Sequence, residues 1–310
     1  MTGGAGFLGA NLVDRLLAEG YDVEVADDLS HGTLANLSEA RGQRSRRFSF
    51  HRIDVWSTAI AELLAHRRPE LVFHLAATGD ARASVKRPAL DAEVNVMGSL
   101  QVILGALAAG CRKVVFASSG AAIYGPSEEL PIREGHPQRP ETPHGVAKKT
   151  VHDYLAVFRQ LHGLEYTALA LGNVYGPRQD PEGESGVVAS FAGRMLRRER
   201  PTIHGDGSQS RDFVFVDDAV DAFVRAAEKG SGLLVNVGTG METTVASLYE
   251  TMARLTGFTE EARHAPARVG EIGRCALDPG RAAIHLGWKP WTSLDDGLRR
   301  TIDWYRAAKR

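Results

Sequence analysis

The chain has 310 residues, 43% of them hydrophobic, which is enough for one large domain or two medium ones. Its 37 Lys and Arg residues against 38 Asp and Glu residues give a net charge of −1, which argues against a nucleic-acid-binding platform. Two cysteines, no apolar run near the roughly 18 residues of a membrane span and no signal-peptide pattern predict a cytoplasmic globular protein without a membrane partner.

Short β-branched runs alternate with longer amphipathic stretches over the first half of the chain. The predicted strands are residues 22–26, 70–75, 113–117 and 165–171. The predicted helices, which carry apolar residues at three- and four-residue spacing, are residues 10–19, 58–66, 92–109 and 145–161. This alternation indicates βαβ units, and therefore an α/β fold with a Rossmann-type doubly wound parallel sheet.

The pattern changes after residue 171. Residues 172–186 are rich in Gly, Pro and charge and predict a loop, followed by a strand at 213–216 and helices at 218–228 and 294–308. We therefore predict two lobes. Residues 1–171, with a return segment at about 212–237, form the doubly wound lobe, and residues 172–211 and 238–310 form a smaller mixed α/β lobe.

A glycine cluster, Gly3-Gly4-Ala5-Gly6-Phe7-Leu8-Gly9, leads directly into the first predicted helix. Glycines allow a tight turn and let backbone N–H groups approach a pyrophosphate at the positive end of that helix. Asp27 closes the next strand at about the 20-residue distance expected of a carboxylate that accepts from both ribose hydroxyls. Because this carboxylate would repel a 2′-phosphate, the pattern favours NAD over NADP. The alternative is a tight turn followed by a helix-capping aspartate.

Two further features belong to the same region. Asp54 follows another short strand and is placed to meet an adenine ring, with a turn residue as the alternative. Only Met1-Thr2 precede the glycine cluster, whereas a dinucleotide-binding loop needs a strand before it. We expect residues upstream of Met1 to complete that strand; the alternative is that the fold tolerates a two-residue stub in its place.

Five segments occur in order along the chain: GGAGFLG at 3–9, DDLS at 27–30, FHLAA at 73–77, SS at 118–119 ahead of IYG at 123–125, and NVYGP at 173–177. Together they resemble the extended short-chain dehydrogenases, and the closest resemblance is to UDP-glucose 4-epimerases and related nucleotide-sugar epimerases and dehydratases. In that family NAD takes a hydride from a sugar carbon and returns it to the opposite face. The resemblance implies cofactor contacts from Gly3, Gly6, Phe7, Leu8, Gly9, Asp27, Asp28, Asp54, Leu75, Ala76, Ala77, Asn95 and Lys148.

The resemblance also implies a catalytic set of Ser119, Lys148 and the residue four positions before the lysine. The family has a tyrosine there, which removes the proton of the sugar hydroxyl, but this chain has His144. The four-residue spacing still places His144 and Lys148 on one helical face.

Three interpretations of His144 remain open. It can be the general base, kept neutral by nearby positive charge, although an imidazole is shorter than a phenol and needs a bridging water or a shifted substrate. The protein can instead be a relative that binds NAD and a nucleotide sugar but catalyses poorly. Histidine can also be an introduced substitution in an ordinary epimerase. A dehydratase is less favoured, because the neighbourhood Ser119-Gly120-Ala121-Ala122 lacks the Asp-Glu pair usual there.

For the substrate, the resemblance implies that Asn173, Arg211 and Arg268 contact the diphosphate and that residues 178–181 and 186–188, including Val188, cover the base of a UDP-sugar. It further implies a homodimer through the helices at 92–109 and 145–161. The remaining histidines lack metal-ligand spacing, so no metal site is expected. The combined expectation is an NAD-dependent 4-epimerase of a UDP-hexose or UDP-hexuronate.

Overall fold

The computed structural model describes residues 1–42, 47–79, 81–182, 186–268 and 272–308. Strands and helices alternate through the first half. The strands are β1 Val23–Asp27, β2 Phe48–Arg52, β3 Leu71–His74, β4 Lys113–Ser119, β5 Glu165–Leu171, β6 Asn173–Tyr175, β7 Thr202–His204, β8 Ser210–Arg211, β9 Phe213–Phe215, β10 Leu233–Val237, β11 Thr243–Thr244 and β12 Arg263–Ala265.

The α-helices are α1 Phe7–Ala18, α2 Ser38–Gly42, α3 Ala59–Arg67, α4 Ala81–Lys86, α5 Pro88–Ala92, α6 Gly98–Ala108, α7 Gly120–Tyr124, α8 Pro143–His162, α9 Val187–Leu196, α10 Val216–Glu228, α11 Val245–Thr256, α12 Gly280–His285 and α13 Leu294–Ala308. A 3-10 turn covers Leu34–Leu37, and a π-helical turn, Glu93–Met97, joins α5 to α6.

One parallel sheet carries the first lobe. Its strands follow the order β2, β1, β3, β4, β5 and β10, and every pairing among them is parallel. Thr2 lies between β1 and β3, where its backbone bridges Ala26 on one side and His74 on the other. The N–H of Thr2 donates to the Phe73 carbonyl at 3.0 Å. The predicted α/β fold with a doubly wound parallel sheet is therefore confirmed.

The predicted loop at 172–186 was partly wrong. It contains β6, which pairs in parallel with β9 from a distant part of the chain. Three residues are too short to show a strand pattern, and the pairing partner arrives only when the chain folds. Strand β10 was also absent from the predicted elements.

The second lobe packs helices α9, α11 and α13 against one another beside the short strand pairs β7–β12 and β8–β11. Trp288 is fully buried, and its indole N–H donates to the Asp218 carbonyl at 2.8 Å. One hydrophobic cluster extends from α1 and β1 through α10 to α13. The two lobes therefore share a core, which holds the ends of β4 and β6 in place.

The helical run Pro88–Ala108 is long and apolar enough, by length and composition alone, to cross a membrane. Buried core helices of soluble proteins pass the same test. Of its most apolar window, 44% is buried inside the protein, and the run packs against α3 and α8.

Candidate functional site

The glycine cluster forms a tight turn that admits no side chain at two positions. Gly3 has a φ of +71°, and a Cβ there would lie 2.6 Å from the Ala76 nitrogen. A Cβ on Gly9 would lie 2.2 Å from the Gly3 carbonyl oxygen. Helix α1 begins at Phe7 and has no acidic residue in its first turn, so nothing there opposes an anion at its positive end. These residues suit the pyrophosphate of a dinucleotide.

Asp27 lies at the carboxyl end of β1, directly beside this turn. Its two carboxylate oxygens accept hydrogen bonds from the backbone N–H groups of Ala5 and Leu29, both at 2.9 Å. Burial raises the pKa of this carboxyl group, against those two hydrogen bonds, which lower it. These two hydrogen bonds hold the Asp27 carboxylate in a fixed orientation beside the glycine turn.

Asp28 and Asp54, the other acidic residues predicted to contact the cofactor, are engaged in local turns. Asp28 accepts from the backbone N–H and the hydroxyl of Ser30. Asp54 accepts from the backbone N–H of Trp56 at 3.2 Å and from its indole N–H at 2.5 Å.

Leu75, Ala76 and Ala77 follow β3 and lie next to the glycine turn, as the close approach of Gly3 to Ala76 shows. The buried Asn95 supports this segment. Its Oδ1 accepts from the N–H of Thr78 at 2.9 Å, and its Nδ2 donates to the Thr78 hydroxyl at 2.8 Å. Asn95 therefore positions the segment through its side chain.

Lys148 lies behind the site, almost completely buried. Its Nζ donates to the Ala117 carbonyl at 2.8 Å and lies 4.8 Å from the centre of the Phe116 ring. Burial lowers the pKa of Lys148 to about 8, although the attraction of Asp91 acts in the opposite direction. The ammonium group is thereby fixed beneath the carboxyl end of β4.

A cavity of about 570 Å³ opens between the two lobes. It brings together five of the predicted site residues, from both halves of the chain: Ser119, His144, Asn173, Arg211 and Arg268. Ser119 ends β4, and Asn173 follows the carboxyl end of the neighbouring strand β5 at Leu171 before it begins β6. Parallel strands thus present polar groups at their carboxyl ends, where open α/β sheets bind ligands.

The predicted base-covering residues divide into two groups. Val187 lines the cavity, whereas Val188 is 1% exposed and packs in the core. Arg178 points elsewhere, because its guanidinium lies 2.6 Å from the Asp14 carboxylate on α1. His204, which was not assigned a role from the sequence, also lines the cavity.

His144 is placed by the start of α8. Thr142 caps this helix by accepting from the N–H of Gly145 at 3.2 Å, and Pro143 occupies the first turn. The His144 backbone N–H donates to the Ser84 hydroxyl at 3.2 Å. His144 lines the cavity, and its buried Nδ1 lies 3.8 Å from Oδ1 of the buried Asp91.

No tyrosine from another part of the described chain supplies the phenol that the family has four residues before the lysine. All seven tyrosines lie in the described segments, and none of them lines the cavity. Tyr124, from the IYG segment, is fully buried and donates to Oδ1 of Asn236 at 2.8 Å. Burial raises the pKa of its hydroxyl, so it cannot serve as a base near neutral pH.

Asp91, which lies beside His144, is another residue that the sequence analysis did not identify. A usable signal was present, because Asp91 precedes Asn95 by four residues and the two therefore share a helical face. In the structure, Oδ1 of Asp91 accepts from Nδ2 of Asn95 at 2.8 Å. No cluster of three or more His, Cys, Asp or Glu residues suited to a metal ion occurs within the described ranges.

Similarities to known proteins extend over the whole chain. The model of the NAD dependent epimerase/dehydratase family matches residues 1–238. The UDP-glucose 4-epimerase of Mycolicibacterium smegmatis is 44% identical over 99% of this chain and 97% of its own length.

Two solved structures are equally informative. The UDP-glucose 4-epimerase of Thermotoga maritima with UDP-glucose superposes with a TM-score of 0.96, at 41% identity, over 100% of this chain and 98% of that one. The UDP-glucose 4-epimerase of Thermus thermophilus in complex with NAD superposes with a TM-score of 0.92, at 37% identity, over 99% of this chain and 98% of that one. The resemblance indicated by the five sequence segments is confirmed.

Proposed function

We propose that this chain, which belongs to the NAD dependent epimerase/dehydratase family, interconverts the C4 epimers of a UDP-sugar with His144 as its proton acceptor and donor. The proposal rests on a cavity that is lined by Ser119 and His144 together with Asn173, Arg211 and Arg268. Such a lining combines groups able to transfer a proton with the cations that an anionic nucleotide sugar requires.

The glycine turn and Asp27 suit the cofactor of the family. The turn leaves room for a pyrophosphate where a Cβ on Gly3 or Gly9 would collide with backbone atoms. Asp27 provides the carboxylate for a ribose without a 2′-phosphate. NAD, when bound, supplies the hydride acceptor and donor for the sugar carbon. We assign Gly3, Gly6, Phe7, Leu8, Gly9 and the backbone of Leu75–Ala77 to its binding.

Proton transfer falls to His144 and Ser119. In the oxidising half of the cycle, the imidazole takes the proton of the sugar 4-hydroxyl as its carbon loses a hydride. In the reducing half, the imidazole returns that proton to the same oxygen. The Ser119 hydroxyl orients the reacting oxygen by a hydrogen bond, and Lys148 supplies positive charge beneath the site.

The substrate end is formed by three polar side chains. The guanidinium groups of Arg211 and Arg268 suit a diphosphate, and Asn173 adds amide donors. UDP is preferred among nucleotides on the strength of the relatives of known name. Residues 1–171 with the return segment are proposed to carry the cofactor, and the remaining residues the nucleotide sugar.

The test is 4-epimerisation of UDP-glucose and UDP-glucuronate, with added NAD⁺, followed by NMR over a range of pH. We expect turnover of at least one of these two UDP-sugars by the wild type. The His144→Gln variant should lower kcat by about 10²–10⁴-fold. The matched control is His162→Gln, at the exposed end of the same helix, which should leave kcat unchanged.

Each other outcome is decisive. Equal rates for the wild type and His144→Gln would overturn His144 as the base. Turnover by His144→Tyr alone would identify a nucleotide-sugar-binding relative that histidine has silenced. Turnover by none of them would refute the proposed substrates.

We further propose that the chain forms a homodimer through the run Pro88–Ala108 and α8, which pack side by side. Exposed apolar side chains recur on the first at seven-residue spacing, at Leu90, Met97 and Leu104. Helix α8 adds others: Val146, Tyr154, Val157 and Leu161. A continuous apolar face on two neighbouring helices suits a four-helix interface between two copies.

Replacing Leu104 and Val157 together by Glu is expected to convert a dimer to a monomer, because two charges per copy would be buried. Light scattering after size exclusion measures the mass. Trp291→Glu is the control. Trp291 is 57% exposed, against 47% for Leu104 and 46% for Val157, but it lies outside both helices. A wild-type monomer, or a double variant that stays dimeric, would contradict the proposal.

The buried free thiols of Cys111 and Cys275 suit a reducing compartment, and we propose the cytoplasm.

A further inference from the structure

We propose that Asp91 is a positioning residue that holds the His144 imidazole in its Nδ1–H tautomer, so that Nε2 is the nitrogen that exchanges protons with substrate. This inference rests on the proposed role of His144. The roles proposed for the glycine turn and for Asn173, Arg211 and Arg268 do not depend on this inference.

Asp91 is held firmly from one side. It lies on α5 and is 3% exposed. Its Oδ1 accepts from Nδ2 of Asn95 at 2.8 Å and from the Thr78 hydroxyl at 3.1 Å. The π-helical turn that begins two residues later contains Asn95. Such turns often mark functional positions, since they redirect side chains within a helix.

Two polar atoms, one on Asp91 and one on His144, have no hydrogen-bond partner among the described residues. In the described part of the chain, Oδ2 of Asp91 and Nδ1 of His144 are both buried and unpaired. Buried polar groups in native proteins are nearly always hydrogen-bonded, so two adjacent unpaired groups call for a reason. The 3.8 Å between Nδ1 and Oδ1 is longer than a hydrogen bond but needs a closure of only about 1 Å to become one.

Closure fits what is known of catalytic pairs. Hydrogen bonds in active sites without ligand are often long and tighten when substrate binds. A carboxylate is an acceptor only, so it can pair with Nδ1 only when that nitrogen carries the proton. Nε2 then has a free lone pair, and its side of the ring is the one that can face the cavity lined by His144.

The charges around the ring support the same assignment. Lys148, one turn further along α8, is attracted to Asp91. A carboxylate beside an imidazole can stabilise a transient positive charge on the imidazole, as it does beside a nucleophile-activating histidine. A tyrosine at position 144 would have no nitrogen for Asp91 to orient. The pairing is therefore specific to the histidine of this chain.

The test is the tautomer itself, read from long-range ¹H–¹⁵N correlations of the histidine rings. The His144→Gln spectrum identifies the His144 signals. We expect the proton on Nδ1 in the wild type. In Asp91→Asn, whose amide can donate to Nδ1, we expect it on Nε2. Thr78→Val is the matched control, since it removes one hydrogen bond to Asp91 but keeps the carboxylate.

Kinetics provides the second readout. Asp91→Asn should lower kcat by about 10²–10⁴-fold with little change in KM for the nucleotide sugar, whereas in the His144→Tyr background the same change should cost much less. Thr78→Val should keep the wild-type tautomer. A wild-type proton on Nε2, or an unaltered tautomer in Asp91→Asn, would overturn the inference.

Failure of the proposed function is separable from failure of this inference. The tautomer is measured without turnover, so an inactive wild type with the proton on Nδ1 would refute the epimerase and leave the Asp91–His144 pair standing. An active wild type with the proton on Nε2 would support the epimerase and refute the proposed role of Asp91. If Asp91→Asn fails to fold, the wild-type spectrum still decides.

Discussion

Replacing Lys148 by Met is expected to lower kcat by about 10²–10³-fold, the usual cost of removing one fixed charged donor from a site. The Nζ group is almost fully buried, donates to the Ala117 carbonyl and lies against the Phe116 ring, so no solvent or neighbouring lysine can take its place. Methionine keeps the length of the side chain and removes only the charge. The measurement is steady-state epimerisation together with the amount of NAD retained after purification.

Lys149 is a matched control for this variant. It is the next residue of α8, but its side chain is 37% exposed and pairs with Asp153 in a surface contact at 2.7 Å. Lys149→Met should leave turnover and NAD retention unchanged, because exposed pairs of this kind contribute little. Thermal unfolding of both variants shows whether each is folded. If Lys148→Met kept the wild-type rate while folded, its assigned role would be refuted.

Replacing Asp212 by Ala is expected to lower the free energy of unfolding by about 3 to 5 kcal/mol. Asp212 is 1% exposed and lies between β8 and β9. Its carboxylate accepts from three backbone N–H groups, those of Thr239, Gly240 and Leu277, at 2.8 to 3.1 Å, and from the Thr239 hydroxyl at 2.6 Å. Alanine would leave these buried donors unpaired.

The same variant should also weaken substrate binding. Arg211 directly precedes Asp212, and the Asp212 carbonyl accepts from the N–H of Asn173 at 2.7 Å. Denaturation at one fixed protein concentration, with and without UDP-sugar, measures both effects. The control is Asp206→Ala, an exposed aspartate that caps only the Ser208 turn, and it should leave stability nearly unchanged. Equal stability of the two variants would show that the Asp212 contacts are not structural.

The parallel sheet, the glycine turn and the family were readable from the sequence because each depends on local pattern. Strand β5 was predicted at its observed bounds, and the predicted strand at 113–117 ends two residues before β4 does. A β-branched run predicts a strand buried on both faces, and a glycine cluster before a helix predicts a phosphate-binding turn. Neither prediction depends on the rest of the chain. The substitution of histidine for tyrosine was visible for the same reason, since the four-residue spacing to Lys148 is a helical property.

Other features depended on partners that are distant along the chain. Strand β6 forms because β9 lies beside it, and Arg178 leaves the cavity because Asp14 of α1 holds it. Val188 turns into the core while Val187 faces the cavity, a difference of one helical position set by packing against α11 and α13.

By itself, the sequence determined the α/β class, the family and the identity of the residue at position 144, all of which are carried by short patterns with a local physical cause. Only the tertiary structure decided what surrounds that residue. Asp91 and His144 lie far apart along the chain, and nothing local to either one predicts the other. They come close together because α5 and α8 pack against each other, which burial of their apolar faces brings about.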